Sequence, residues 1–545
     1  MPQSGAHSRR TVILAASLAV AVLAAAGALV LRTIGDDGVV LVEGSGYTEG
    51  VAGTYQRVNP LYASMNEVDA DLAALVFAGL VRLAPDGRVI ADMAELPEVS
   101  DDGRDYTFRL RAGVKWHDGE PVTSRDVAFT IRNITDPDYR GDPTLAEGWL
   151  GADVTTPDDR TVVVKLRQPS APFLARSATI GILPEHLLGS LPTSEIENAP
   201  FNAAPVGSGP YRVESLDARE ARLVANGDYH LGRPQIERFT LRFFTDYTTA
   251  QRALAEGEVE GLLIRDQISA DQLSTLEQVK NTTAARLQRS TATLLYLNTS
   301  TALFSDERVR QALSLGIDRE EIVRRVYPGG ATASSSPVVP GTWAYVEGTD
   351  VTEPDIAEAK RLLGEAGWVA NPTTGILARQ GSEFRFTIRV DNDATRVAMA
   401  GEIARQLEQL GVRATVASTT FSVLRRDFLQ ERRYEAAVAA WEQGPDPDLY
   451  FGWHSSQMGS AGLNLANFED SVMDELIAQG RTARDPEVRL DSYGQLQDVW
   501  QELSPGIVIA YPTVVYVYPD SLENVSSGVL FTGSSRFTDV HTWRR

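Results

Sequence analysis

Residues 384–418 carry the pattern that most restricts the fold. FRFTIRV (384–390) alternates Phe384, Phe386, Ile388 and Val390 with polar residues, the period of a half-buried strand. ATRVAMAGEIARQLEQLG (394–411) places Val397, Ala400, Ile403, Ala404, Leu407 and Leu410 on one helical stripe, with Gly411 as a left-handed stop. VRATVAS (412–418) then returns to strand character. A strand–helix–strand unit of this length joins two parallel strands by a right-handed crossover, so the chain is of the α/β class. YEAAVAAW (434–441) is apolar apart from Glu435 and reads as a strand of a sheet covered on both faces. The polar loop EQGPDPDLYF (442–451) follows it. Ligands of open α/β sheets lie beyond the carboxyl ends of the strands. Trp441, Glu442, Asp446 and Asp448 are therefore candidate ligand contacts, although a core Trp and acids that solvate a turn would give the same letters.

Other segments alternate strands and helices. GVVLVEG (38–44) reads as a first strand and GSGYTEG (44–50) as a glycine-rich loop after it. Val68, Leu72, Leu75, Val76 and Leu80 have helical spacing. DYTFRLRAGVKW (105–116) and TVVVKLRQ (161–168) read as strands, and TSRDVAFTIRNI (123–134) as a helix capped by Thr123 or Ser124. PYRVESL, ARLVAN and RFTLRFF, within 206–244, are strands, and a short helix falls within 245–259. ATLLYLNTS (292–300) leads into two helices that begin at Ser305 and Asp318, the latter with Glu321 at capping-box spacing. A further helix within 353–368 is closed by Gly367.

Charge and composition exclude several functions. The chain has 51 basic and 73 acidic residues, a net charge of −22, and phosphate binding needs a concentrated basic surface. No nucleic-acid partner is expected. The absence of Cys removes disulfides, thiolate metal sites, thiol catalysis and a lipoprotein anchor. Residues 11–31 are uncharged, with Arg9 and Arg10 before them and Asp36 and Asp37 after. As a helix they would span about 31 Å, close to the bilayer core. The positive-inside rule places everything beyond about residue 32 outside the cytoplasm. A retained transmembrane anchor and a cleaved signal, cut near Ala24–Ala28, both export the chain.

Signs of catalysis are weak. His7, His117, His186, His230, His454 and His541 are scattered without metal-ligand spacing. There is no G-x-S-x-G elbow and no P-loop lysine motif. VGSGPY (206–211) opens a strand, so its glycines suit a tight turn better than a phosphate cradle. No enzyme activity, cofactor or metal is expected.

NPLYASMNEVDADLAALVFAGLVRLAPDGRVIADMAE (59–95) and DYTFRLRAGVKWHDGEPVTSRDVAFTI (105–131) resemble the N-terminal signature of the family 5 extracellular solute-binding proteins, the oligopeptide- and dipeptide-type receptors of ABC importers. Further matches run in family order: GSGPYRV (207–213), ALAEGEVEGL (253–262), LYLNTSTALFSDERVRQALSLGIDREEIV (295–323), EAKRLLGEAGW (358–368), and Trp441 with DPDLYF after it. The resemblance covers about residues 40–530.

It implies a two-lobed periplasmic-binding-protein-like fold of type II, with three subdomains and a hinge, behind a tail and membrane segment at 1–35. Lobe I would comprise 36–60, 176–290 and 506–545, a subdomain would be inserted at 61–175, and lobe II would span 291–505. The hinge crossings would lie near Leu297–Asn298 and within IVIAYPTVVYVYP (507–519). The implied function is capture of a peptide or peptide-like solute by hinge closure, and delivery by a monomeric receptor to a permease and its ATPase. A sensor role or a non-peptide solute such as an oligosaccharide would suit the same fold. Tyr47 and Thr48 after the first strand, and Trp343 and Tyr345 in VVPGTWAY, are candidate cleft walls alongside Trp441, Glu442, Asp446 and Asp448. Peptide-binding members place an Asp three residues after the Trp, to pair with the ligand's α-ammonium. Gly444 stands there in this chain.

Overall fold

The computed structural model describes residues 46–350 and 353–545. The 11–31 run and the strand expected at 38–44 lie outside the described residues. Among the described residues no helix is long and apolar enough to cross a membrane.

The strand–helix–strand unit forms as its sequence pattern requires. Arg385–Asp391 and Arg413–Thr419 pair in parallel, from Arg385↔Arg413 to Asp391↔Thr419. The helix between them, Ala394–Leu407, is capped by Asp393, which accepts the Arg396 N–H. A short 3₁₀ turn follows, and Gly411 ends it at φ 78°, a conformation that a side chain disfavours. Met399, Ile403 and Leu407 pack on Phe386, Ile388 and Val390 in a common core.

This unit is one edge of a 12-stranded mixed sheet. In chain order its strands are β1 Gly46–Ala52, β2 Tyr211–Leu216, β3 Glu220–Ala225, β4 Arg238–Phe244, β5 Gly261–Ile264, β6 Thr282–Gln288, β7 Thr291–Leu297, β8 Ala331–Ala333, β9 Arg385–Asp391, β10 Arg413–Thr419, β11 Ala436–Glu442 and β12 Gly506–Pro519. The spatial order is β10-β9-β11-β7-β12-β5-β1-β4-β3-β2, with β6 and β8 also on β12. β1 occupies part of the stretch expected to be a glycine-rich loop. β11 has a parallel neighbour, β9, on one side and an antiparallel one, β7, on the other. Only Ala436–Val438 are buried throughout, and the strand then alternates.

β12 joins the two halves of the sheet. Its first residues ladder with β7, from Tyr296↔Gly506 to Thr293↔Ala510. Its later residues ladder with β6, from Gln288↔Thr513 to Thr282↔Pro519, and with β5. The chain passes between β6 and β7 through Arg289 and Ser290, upstream of the crossing expected at Leu297–Asn298. Leu297 lies inside the β7–β11 ladder opposite Ala436.

A separate four-stranded sheet is formed by 98–99, 105–109, 161–165 and 153–158. Helix Ser124–Thr135 belongs to the same region, and its cap is Thr123, whose N–H donates to the Asp126 carboxylate at 2.7 Å. Two later caps differ from the expectation. Asp306, rather than Ser305, caps Glu307–Leu315. Asp318 accepts the Glu321 N–H, but its own N–H donates to Gln406 Oε1 at 2.8 Å. The reciprocal half of the capping box is therefore absent, and the Glu321 carboxylate pairs with Arg324 and Arg325.

A buried charge network ties the C-terminal segment to the first elements. Arg536 and Glu49 have no exposed side-chain surface. The Arg536 guanidinium donates to Glu49 Oε1 at 2.8 and 2.6 Å, and to the two Asp71 oxygens at 2.9 and 2.8 Å. Arg265 donates to both Asp71 oxygens at 2.9 Å. The Tyr516 and Tyr47 hydroxyls donate to Glu49 Oε2 at 2.8 and 3.0 Å. The network thus holds together β1, helix Glu67–Val76, the end of β5, β12 and the turn Gly533–Phe537.

His117 gives this half a pH dependence. The Gly207 N–H donates to its Nδ1 at 3.2 Å, and its Nε2 faces the Gly209 carbonyl at 3.1 Å. A neutral ring with the proton on Nε2 satisfies both partners, whereas a second proton would oppose the Gly207 N–H. Burial lowers the ring's pKa from 6.5 to about 4. The unfolded ring therefore gains its proton near the ordinary value, and the folded ring only near the lower one. Stability is full above that window and falls as pH drops through it, by about 3 kcal/mol. Urea unfolding of the wild type across this range should show the fall, and His117→Gln should flatten it. Equal pH slopes for the two proteins would refute the assignment.

Candidate functional site

The carboxyl end of β11 lies where the two halves of the sheet meet. The loop after it is fixed to both connecting strands and to the inserted region. The Gln443 N–H donates to the Ser290 carbonyl at 3.4 Å, between β6 and β7. Gln443 Nε2 donates to the Tyr511 hydroxyl at 3.2 Å, and that hydroxyl donates to the Ser336 carbonyl at 2.9 Å. Because the Tyr511 proton is committed to Ser336, Tyr511 acts as acceptor toward Gln443, which fixes the amide orientation. Gln443 Oε1 is then buried with no hydrogen-bond partner. An acceptor left in that state costs about 1–3 kcal/mol until a donor reaches it.

Beyond Gln443 the loop packs on Arg176 and on Gly87. A Cβ built on Gly444 would lie 3.5 Å from Arg176 Nε, at the end of the short helix Phe173–Arg176. A Cβ on Gly87, which has φ +84°, would lie 2.9 Å from the Pro445 carbonyl oxygen. A larger residue at Gly87 would therefore push the loop away.

The two aspartates of the loop are occupied. Arg489 Nη2 donates to both Asp446 oxygens, at 2.8 and 2.7 Å. Its guanidinium also lies over the Trp343 ring, 5.1 Å from the centroid. Asp448 pairs with Arg481, and Arg176 lies 3.9 Å away. Burial raises the Asp448 carboxyl above its ordinary pKa, and the two guanidiniums oppose that rise. Both carboxylates are almost wholly buried. They fasten the loop rather than stand open to a solute.

Trp441 is half-buried on β11. Its ring meets Trp453 edge-on at 5.8 Å, and Trp453 in turn stacks on Tyr296 at 5.6 Å and meets Trp500 at 4.5 Å. Glu442 is exposed and, one residue along the strand, points to the opposite face from Trp441.

Trp343 joins this site. With Tyr106, Leu174, Leu96, Asp446 and Arg489 it lines a cavity of about 340 Å³ between the inserted region and the helices at 471–482 and 486–503. Tyr345 is turned to its own loop, where its hydroxyl donates to Asp350 Oδ2 at 2.7 Å. Tyr47 lies on β1 in the core, not in a loop. Its hydroxyl sits where a Cβ on Gly261 would clash at 1.8 Å, so the close approach of β1 and β5 requires glycine. Thr48 is half-buried, and its N–H donates to Glu260 Oε2 at 3.0 Å. The structure thus gathers Trp441, Asp446, Asp448 and Trp343 at the junction, while Tyr47, Thr48 and Tyr345 have other partners.

Sequence reasoning missed Gln443, Arg176, Arg481 and Arg489. Two acids in an apolar, proline-rich loop need countercharges, which was the available signal, but the arginines are remote in the chain. Among the described residues no group of His, Asp and Glu is arranged to hold a metal ion.

Two sheet halves joined by paired strands, with a fastened loop at their junction, define the class. The chain has the two-lobed periplasmic-binding-protein fold, a class of solute receptors. The oligopeptide-binding protein AppA from Bacillus subtilis, solved in complex with a nonapeptide, matches it with a TM-score of 0.62 at 27% identity, over 91% of this chain and 98% of that one. NikZ from Campylobacter jejuni, solved with Ni(L-His), matches with a TM-score of 0.65 at 24% identity, over 92% and 100%. In sequence, AppA of Bacillus subtilis (strain 168) is 28% identical over 488 residues, 88% of this chain and 89% of that protein. The model of the bacterial extracellular solute-binding proteins, family 5 Middle, matches residues 88–462, and the chain belongs to that family.

Proposed function

We propose that the chain is the extracytoplasmic receptor of an ABC importer, which captures a peptide or peptide-like solute between its two lobes and delivers it unchanged to a membrane permease. The observation that carries this reading is the seat of the Trp441–Asp448 loop at the lobe junction. There it touches both connecting strands through Gln443, and the inserted region where Pro445 lies against Gly87. A solute that bridges these groups would stabilise the closed arrangement. Lobe I would comprise 36–60, 176–290 and 506–545, the inserted subdomain 61–175, and lobe II 291–505. The crossings at Arg289–Ser290 and within β12 would form the hinge, and Trp441, Trp343 and the adjoining loop would line the solute. Residues 11–31 would deliver the chain to the outer face of the membrane. The nonapeptide held by AppA supports a peptide ligand.

Addition of a peptide pool should raise Tm and shrink the radius of gyration in solution scattering. Trp441→Ala should weaken the response by about tenfold in affinity, with little change in Tm of the unliganded protein, because its ring is only partly buried at the margin of the core. A large stability loss with unchanged affinity would refute Trp441 as a solute contact. A wild type that responds to no peptide or sugar would refute the receptor reading.

A further inference from the structure

Where the inserted region meets the helices Ser471–Thr482 and Pro486–Leu503, the junction is polar at its rim and hollow at its centre. The Ala171 N–H donates to the Arg481 carbonyl at 2.9 Å, and the Trp343 N–H to the Asp86 carbonyl at 3.0 Å. Arg484 Nη1 donates to Asp101 Oδ1 at 2.8 Å. Ala171, Trp343 and Arg484 also line the cavity of about 340 Å³. Leu96, Val99, Tyr106 and Leu174 wall it from the inserted region, and Trp343 and Pro486 from the other side. Leu96 is 55% exposed, an apolar side chain at the mouth with nothing over it. The charged side chains of the wall are already paired: Asp446 with Arg489, Arg88 with Asp86, and Arg484 with Asp101. The Tyr106 hydroxyl donates to the Ser170 carbonyl at 3.0 Å, and the Thr482 hydroxyl to the Ala478 carbonyl at 2.7 Å.

We propose that this cavity is a binding site in its own right, for an uncharged aromatic molecule of two rings seated between Tyr106 and Trp343. A charged guest would give up its hydration and find every countercharge engaged. An apolar guest meets no such cost and gains the burial of its surface. The volume sets the size, since a cavity of about 150 Å³ with apolar walls admits one benzene, and this one is more than twice as large. The rings of Tyr106 and Trp343 favour an aromatic guest over an aliphatic one of equal area. The guest touches both sides of the junction, so it stabilises the arrangement in which the inserted region and the two helices face each other. This goes beyond the receptor reading and does not depend on it.

The test titrates the purified wild-type protein calorimetrically at neutral pH with 2-naphthol, phenol and 2-naphthoate. 2-Naphthol should saturate a single site with a Kd of about 100 μM. Phenol, which is too small, and 2-naphthoate, which is charged, should each bind about tenfold or more weakly. Saturating 2-naphthol should slow backbone hydrogen exchange on both sides of the junction, in 96–106 and in 480–489. Leu96→Glu, a charge at the mouth, should weaken 2-naphthol by about tenfold, and Ala483→Trp, which fills the cavity from its edge, should remove the binding. Wild-type protein that binds no 2-naphthol, or binds 2-naphthoate as tightly, would overturn the inference, as would exchange slowed on one side only or on neither. Each of these failures leaves the receptor reading intact. The wild-type titrations and exchange decide the matter even if a variant fails to fold.

Discussion

Arg536→Ala should destabilise the protein by about 3–5 kcal/mol, which is the range for removing one partner of a fully buried ion network. The replacement leaves Glu49 and Asp71 in place, and neither has appreciable exposed surface. Asp71 keeps Arg265, whose guanidinium reaches it from the edge of the network. Glu49 keeps only the Tyr47 and Tyr516 hydroxyls, which supply dipoles but no countercharge. The guanidinium also lies 3.9 Å from the centroid of the Phe537 ring, and that contact goes too. Urea unfolding should show the loss, and the closing turn Gly533–Phe537 should become sensitive to limited proteolysis. A loss below about 1 kcal/mol would mean that the buried carboxylates are relieved by water or by a proton, and the account of the network would fail.

Trp453→Ala should have an effect of similar size, about 3–5 kcal/mol, through the cavity it opens. The ring is almost wholly buried, stacked on Tyr296 and edge-on to Trp500, and Trp441 leans on it from the solvent side. Its indole nitrogen has no hydrogen-bond partner, so the ring's contribution is packing rather than polar pairing. Trp453→Phe should therefore recover most of the loss. Gly506 approaches the same ring so closely that a Cβ there would meet it at 2.6 Å, which leaves no room for the neighbours to relax into the vacated space. If Trp453→Ala and Trp453→Phe proved equally mild, Trp453 would not be the anchor that holds Trp441 at the junction.

The sequence disclosed the fold where periodicity is local. The parallel pair β9–β10, its helix and the Gly411 stop follow from alternation and helical spacing within one short stretch. The discontinuous lobes are an expectation of the family resemblance alone, because no local pattern encodes them. The errors have physical causes. The glycines of β1 have the look of turn residues, yet Gly50 packs beneath Phe244 and the strand needs the narrow section. Asp446 and Asp448 looked available because their arginines lie elsewhere in the chain, at 481 and 489. An aromatic next to glycine suits a binding loop, but the partners of Tyr47, Glu49 and Tyr516, include one from the far end of the chain. Gln443 could not be singled out from sequence, since its unpaired oxygen exists only once Tyr511 is committed to Ser336.

The position of β12 in the order of synthesis has a consequence for biogenesis. β5, β6 and β7 all ladder with it, and all three leave the ribosome long before it does. Until residues 506–519 emerge, neither half of the sheet has its middle strand, and the apolar edges that await it stay open. The nascent chain therefore remains incompletely folded until those residues have been made, which is the state in which a polypeptide can still be threaded through a narrow channel.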